Sequence, residues 1–377
     1  MRDDLRSRVT GKGRAAALVA VGLLAAPGLR AEDPKPAETP AFTINGFVSG
    51  SYSYRFDEPP SGRNGFRVFD FDDNTFKPDV AELVVQRTTP NAGDVGFRMD
   101  LTAGASIPPI AAASGLFRDP ETGESEDFDL QQAYVSWNAP VGRGLRFDFG
   151  KHITHMGYEV IEGYDGWNDN YSRSLLFGYA IPFTHTGLKV TYAGEKASVM
   201  GMVVNGWDNV KDNNRGKSIG AQLLLTPSKT FSLYLNWMGG PERADSSDRR
   251  NDYNVVAVVK PGRLILAADY VYGREKGARG LGLDGTWQAL AGYLRLNPSD
   301  RIGLTLRGEW FDDPDGVRTG FDQKLKEATF TPEFKIGAGF VLRGDLRYDR
   351  SDASVFEGKS GSKKDQTTVA VNALYSF

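Results

Sequence analysis

From Phe42 onward the chain falls into segments of about ten residues in which apolar side chains alternate with polar or small ones. Period two is the signature of a strand with two unlike faces. In 95–102, Val95, Phe97, Met99 and Leu101 share one face, while Gly96, Arg98, Asp100 and Thr102 share the other. Leu145, Phe147 and Phe149 oppose Arg146 and Asp148 in the same way. Further on, Ile302, Leu304 and Leu306 oppose Thr305, Arg307 and Glu309. Phe340, Leu342, Leu346 and Tyr348 oppose Arg343, Asp345, Arg347 and Asp349. One such segment suits any antiparallel sheet with a wet face. Its repetition around the chain, with charged pairs always opposite Phe or Leu, points further. The pattern is blurred at 79–88, 251–260 and 324–335.

The connections carry the second signal. Short turns fall at Pro90–Asp94, Ala139–Gly144, Ala193–Lys196, Thr226–Lys229, Lys260–Arg263, Asn297–Asp300 and Ile336–Gly339. Long polar connections fall near 57–78, 107–127, 152–181, 207–216, 239–251, 274–284, 312–323 and 350–365. The two kinds alternate strictly, so the fifteen connections predict sixteen strands with both ends on the short-turn side. Sorting loops by length to opposite ends is the habit of outer-membrane barrels, with tight periplasmic turns and longer extracellular loops. The last strand ends with Val369, Val371, Ala373, Tyr375 and Phe377 on one face. An alternating strand with a terminal aromatic resembles the assembly signal of such barrels, carried here by Tyr375 and Phe377. The predicted fold is all-β: a closed antiparallel transmembrane β-barrel of about 16 strands over 42–377.

The first 31 residues read as a signal peptide. Arg2, Arg6, Arg8, Lys12 and Arg14 form a basic start, and Ala15 to Ala26 is an apolar run too short to span a bilayer. Cleavage after Ala31 removes six basic and two acidic residues, leaving 39 basic against 46 acidic in the mature chain. The segment 32–41 holds three prolines and three acids and reads as a periplasmic leader. No later apolar run is long enough for a spanning helix. Zero cysteines exclude disulfide scaffolds and thiol chemistry, and three histidines leave little for His-based catalysis. The charge balance offers no basic face for nucleic acid. No enzyme and no cofactor is expected.

A lipid-embedded sheet must close, because no water satisfies its edges. Sixteen strands leave an aqueous interior where eight would be filled by side chains. The inward charges predicted to line that interior are Arg98, Asp100, Arg146, Asp148, Arg307, Glu309, Arg343, Asp345 and Arg347. They are mixed in sign, so ion preference stays open. The longest connection, 152–181, carries Glu159, Glu162, Asp165, Asp169 and Arg173, with Tyr158, Tyr164, Trp167 and Tyr171 interleaved. Folded inward, it would form a constriction loop whose acids face the lumen arginines.

Other motifs are better read as structure. His152 and His155 are three residues apart, a spacing that does not bring two strand side chains to one face, so no metal site is expected. Two Gly-Lys-Ser triplets, at 216–218 and 358–360, lack the earlier glycine of a phosphate loop. Trp137, Tyr192, Trp207, Trp237, Trp310 and Tyr348 fit aromatic girdles at the membrane interfaces. Tyr234 is the one aromatic placed facing the lumen.

The segment from Ser172 to Gly187, SRSLLFGYAIPFTHTG, resembles the hallmark of the β-barrel porin-2 (OmpL-like) family. The segment from Phe128 to Trp137, FDLQQAYVSW, and the opening GFVSGSY at Gly46 are similar to it as well. The resemblance implies an outer-membrane porin, without a defined substrate or catalytic residues. The expected function is passive diffusion of small hydrophilic solutes and ions through a water-filled channel narrowed by 152–181. The alternative is a loop-plugged barrel acting as an adhesin or structural anchor. Expected partners are outer-membrane lipid and lipopolysaccharide, the barrel assembly machinery and small hydrophilic solutes in a Gram-negative outer membrane. A homotrimer is open, and no nucleic acid is expected.

Overall fold

The structure is a computed structural model that describes residues 42–110, 116–117, 125 and 127–377. The expected signal peptide and the 32–41 leader lie outside these residues. The strands are β1 (Thr43–Arg55), β2 (Thr75–Arg87), β3 (Val95–Ala103), β4 (Phe128–Ala139), β5 (Leu145–Ile153) and β6 (Thr184–Ala193). They continue as β7 (Ala197–Val204), β8 (Ser218–Ser228), β9 (Phe231–Pro241), β10 (Arg249–Val259), β11 (Leu264–Glu275) and β12 (Gly285–Ser299). The series ends with β13 (Ile302–Asp313), β14 (Gln323–Ile336), β15 (Phe340–Ser351), a small hairpin β16 (Phe356–Gly358) and β17 (Gly361–Lys363), and β18 (Asp365–Ser376). Sixteen of them form one closed antiparallel barrel, with β1 paired to β18 and the β16–β17 hairpin apart.

The two ends meet at a tight closure. Gly46 and Phe377 exchange backbone hydrogen bonds of 2.9 Å in both directions. A Cβ on Gly46 would lie 2.2 Å from Cζ of Phe377, so any larger residue there would have to displace the terminal ring. The three blurred segments are strands β2, β10 and β14. In β2 the alternation is interrupted where its pairing with β1 shifts register at Ser49/Gly50, next to Pro78.

The outer face is apolar all the way round. Each of the sixteen barrel strands exposes at least one large apolar side chain, among them Val48, Phe149, Leu188, Leu235, Leu306 and Val371. A water-soluble protein does not carry such a continuous band. The inner face holds the charged residues, several of them fully buried. A barrel of this size would leave them wet unless something else entered the lumen.

Candidate functional site

The residues between β5 and β6 supply what enters. The loop begins at Thr154, includes one π-helical turn at Leu176–Ala180, and returns to the wall at Thr184. Its charges meet the inward arginines across the barrel. Arg307 donates to Glu159 Oε1 at 2.7 Å, and Arg343 to Glu162 Oε1 at 2.7 Å. Glu162 also meets Arg173 at 3.1 Å. Asp165 receives Arg98 at 2.6 Å, and Asp169 receives Arg295 at 2.8 Å. The guanidinium of Arg347 donates to the carbonyl of Arg173 and holds Asp349 at 2.8 Å.

The wall acids perform the complementary task. A buried loop must satisfy its backbone N–H groups, and this one has little secondary structure to do so. Asp345 accepts from Tyr171 N at 3.2 Å and Ser172 N at 2.8 Å. Glu309 accepts from the N–H groups of Leu175 and Leu176, the first at 2.7 Å. Asp269 takes Tyr158 N at 2.8 Å, and Glu82 takes Tyr164 N at 2.8 Å. Arginines therefore bind the loop's acids while carboxylates bind its backbone. Mixed sign on one wall is what such a dock requires.

Behind the polar dock lies an apolar plug. Leu175, Leu176, Phe177, Ile181 and Phe183 of the loop pack with Phe69 and Ile110 from the two preceding long loops and with inward Val271, Trp287 and Phe311. Trp287 Nε1 donates to Ala180 O at 3.3 Å. Trp207, expected in a girdle, instead sits in a long loop beneath two guanidinium groups. Arg250 and Arg318 each place Cζ 4.6 Å from its ring centre. The reason is local: the segment after Val204 leaves the sheet before the tryptophan, which then turns inward. Nearby, Asp208 accepts from Phe183 N and Thr184 N, both at 2.7 Å, and clips the loop's return. Burial pushes the Asp208 carboxyl up to about 6, against the pull of those two N–H groups. Burial, with Arg250 beside it, brings Arg318 down to about 10.

Arg98, Asp100, Arg146 and Asp148 lie on a different part of the wall. Arg98 donates to Asp100 at 2.8 Å and Arg146 to Asp148 at 2.8 Å. Lys189 approaches Asp148 at 3.5 Å. Arg146, 41% exposed at its side chain, donates to Asp148 and to Ser136 of the wall, and Asp148 behind it is 3% exposed. Tyr134, Thr191, Ser198, Gln222 and Tyr234 continue this half-exposed inner strip. At the short-turn end a cavity of about 560 Å³ separates Trp167 and Asp169 of the loop from Arg263 and Glu333 of the wall.

The alternation of β12 could have revealed Arg295, since it lies between outward Leu294 and Leu296. Arg67 gave no such signal: it comes from the first long loop to meet Asp70 at 2.6 Å and Asp349 at 2.5 Å. The three histidines also gather, contrary to the spacing argument. His185 lies 6.0 Å from His152 and 5.8 Å from His155 between ring centres. The strand ends at Ile153, so His155 belongs to the loop and is free of strand parity. Tyr234 is not alone as an inward aromatic, being joined by Tyr134, Trp287 and Tyr293.

An apolar exterior, a charged interior and an inserted third long loop define the architecture of an outer-membrane porin barrel. The chain belongs to the family described as "Putative beta-barrel porin-2, OmpL-like", whose model matches residues 41–377. No curated protein sequence matches it. Among solved structures it is similar to OmpT of Vibrio cholerae with loop L8 deleted, at 12% identity and TM-score 0.58, covering 89% of this chain and 99% of that one. It is similar to an anion-selective porin from Comamonas acidovorans, at 13% identity and TM-score 0.57, with coverage of 89% and 99%. Salmonella typhi OmpF, in a complex with daunomycin, gives 13% identity, TM-score 0.57 and coverage of 89% and 97%. These likenesses establish the fold.

Proposed function

We propose that this protein is a porin of the Gram-negative outer membrane that passes small hydrophilic solutes and ions by passive diffusion. The loop of Glu159, Glu162, Asp165, Asp169 and Arg173 narrows the lumen to a lane along β3–β9. One observation carries the reading: on the inner strip Arg146 and Lys189 keep 41% and 23% of their side-chain surface, while Arg307, Arg343 and Arg347 on the opposite wall keep none. A packed core has no reason to leave guanidinium and ammonium groups accessible along one side. Nothing in this reading calls for a cofactor or a covalent step. Tyr375 and Phe377, at the closure, serve as the signal for the barrel assembly machinery. Lipid and lipopolysaccharide surround the apolar band, and the assembly to test is a homotrimer.

The buried apolar cluster across the lumen favours a second reading, a plugged barrel serving as an adhesin or anchor. Single-channel conductance of the refolded full-length barrel in a planar bilayer separates the two. Discrete steps in salt, enlarged when Glu159, Glu162 and Asp169 are all replaced by Gln to loosen the loop, are the porin result. Steps seen only in the loosened variant give a plugged barrel. Folded protein silent in both forms overturns the channel.

A further inference from the structure

The lumen holds a second, chemically distinct cluster. Four of the six methionines, Met156, Met200, Met202 and Met238, belong to one buried cluster inside the barrel. All three histidines of the chain gather together, and His155 is the one that reaches the methionines, at Met202. Among the described residues no three His, Asp or Glu side chains converge on a metal position, so nitrogen and oxygen ligands alone close no site. Thioethers change the class of ion. Soft sulfur ligands select soft monovalent cations of the Cu(I) type, whereas oxygen-rich sites suit hard divalent ions.

The geometry centres on Gly220. Its pairing places Met202 directly across on one side and Met238 directly across on the other. A Cβ on Gly220 would lie 2.2 Å from Met202 Cε, 2.9 Å from Met202 Cγ and 3.2 Å from His155 Cε1. The two Met202 atoms are those bonded to its sulfur, so the thioether lies over the glycine with the imidazole against it. His155 Nε2 faces the carbonyl of Trp237 at 3.4 Å and so carries the proton. The lone pair is then on Nδ1, one bond from the carbon that packs on this spot. Nδ1 is buried and has no hydrogen-bond partner. Glycine at 220 provides the space that the sulfur and the ring share.

The surroundings suit a single positive charge. Asp252 pairs with Met238 and closes the far end of the row, and its Oδ1 is buried without a partner. Lys189 lies at the other end, paired with Met202, and its ammonium turns to Asp148. His155 is half-buried, and Met202 and Met238 are buried. A second unpartnered imidazole nitrogen, Nε2 of His152, lies further along the histidine chain.

We propose that His155, Met202 and Met238 form a binding site for a soft monovalent cation, Cu(I) or Ag(I), in the wall of the lumen. The inference stands apart from the channel reading, since a plugged barrel would carry the same site. Silver(I) is the probe because it needs no reductant. The full-length barrel, folded in detergent and kept in nitrate salts to avoid silver chloride, is titrated by calorimetry. One Ag(I) per chain is expected, with at least a tenfold loss of affinity in M202L/M238L and in His155→Gln. Leucine preserves the thioether's bulk, and glutamine keeps a donor for Trp237. Met99→Leu, on the lipid face, serves as the reference that leaves binding unchanged. Heat-modifiable migration verifies that each variant is folded, and the single variants M202L and M238L replace the double if it is not. X-ray absorption at the silver edge should show sulfur and nitrogen neighbours. Absence of stoichiometric binding, undiminished affinity in folded M202L/M238L, or a purely nitrogen and oxygen shell would overturn the site.

Discussion

The inner wall has two halves built from the same alternating pattern, and they meet opposite fates. On β13 and β15, Arg307, Arg343 and Arg347 have fully buried side chains, each engaged by the inserted loop. On β5 and β6, Arg146 and Lys189 keep 41% and 23% of their side-chain surface, and Arg98 on β3, which the loop reaches only through Asp165, keeps 14%. Residue type and parity are the same in both halves. The difference lies in what crosses the lumen to meet them. It also shows how charge is distributed: Glu159, Glu162 and Asp169 of the loop are taken up by Arg307, Arg343 and Arg295, while Asp165, 49% exposed, pairs with Arg98 beside the open half. On the open half the cations stand in front and their carboxylates, Asp100 and Asp148, lie buried behind.

The sharpest way to break this contrast is to remove one arginine from each half. Arg307 holds Glu159 at 2.7 Å and Glu327 at 2.8 Å with no solvent on any of the three side chains beyond a few per cent. Arg307→Ala strands both carboxylates and should cost roughly 3–5 kcal/mol, the usual penalty for an uncompensated buried charge. Arg146→Ala on the open half should cost no more than about 1 kcal/mol. Urea unfolding of the barrel in lipid vesicles measures both. Equal losses would mean that the two halves are energetically alike and that the loop dock is not specific.

A second test concerns how the loop is fastened at its end. Asp208 clips Phe183 and Thr184 through a carboxylate held in a buried site, with its pKa raised to about 6. A raised acid stabilises the fold while it is protonated, and that contribution is complete below its unfolded value near 4. It is lost as pH rises through 6. From pH 4 to 7 this group alone should remove about 2 kcal/mol. Asp208→Asn keeps an acceptor for the two N–H groups and abolishes that slope. An unfolding profile whose slope between pH 4 and 6 is the same in both proteins would show that the carboxyl is not buried as described.

Strand number, loop sorting and inward parity were legible because they are local: each follows from residues two apart or from a turn. Blurred strands had local causes too, such as Pro78 and the register shift beside it in β2. The dock was legible only by half. Acids in 152–181 and arginines on the wall could be named from the sequence, but their partners could not. Glu159 and Arg307 are separated by 148 residues, and only closure of the barrel brings them together. The same holds for Arg67 and Asp349, which no periodicity links. His155 was misread because parity was extended past the end of β5. A loop residue owes nothing to the alternation of the strand before it.

The smallest expected effect is the one that bears on transport. If the open half is the lane, its exposed cations set the ion preference and the covered arginines do not. Replacing Arg146 and Lys189 together by Gln should shift the anion-to-cation permeability ratio toward cations by on the order of twofold. Asp148 would then lose two of its cationic neighbours and face the lane with more of its charge. Arg343→Lys, on the covered half, keeps its charge against Glu162 and should leave the ratio unchanged. The reversal potential across a salt gradient reads the ratio directly, without reference to the number of open channels. A shift from the Arg343 variant with none from the Arg146 and Lys189 pair would move the lane to the other side of the barrel. It would also require the loop to leave its dock when the channel conducts.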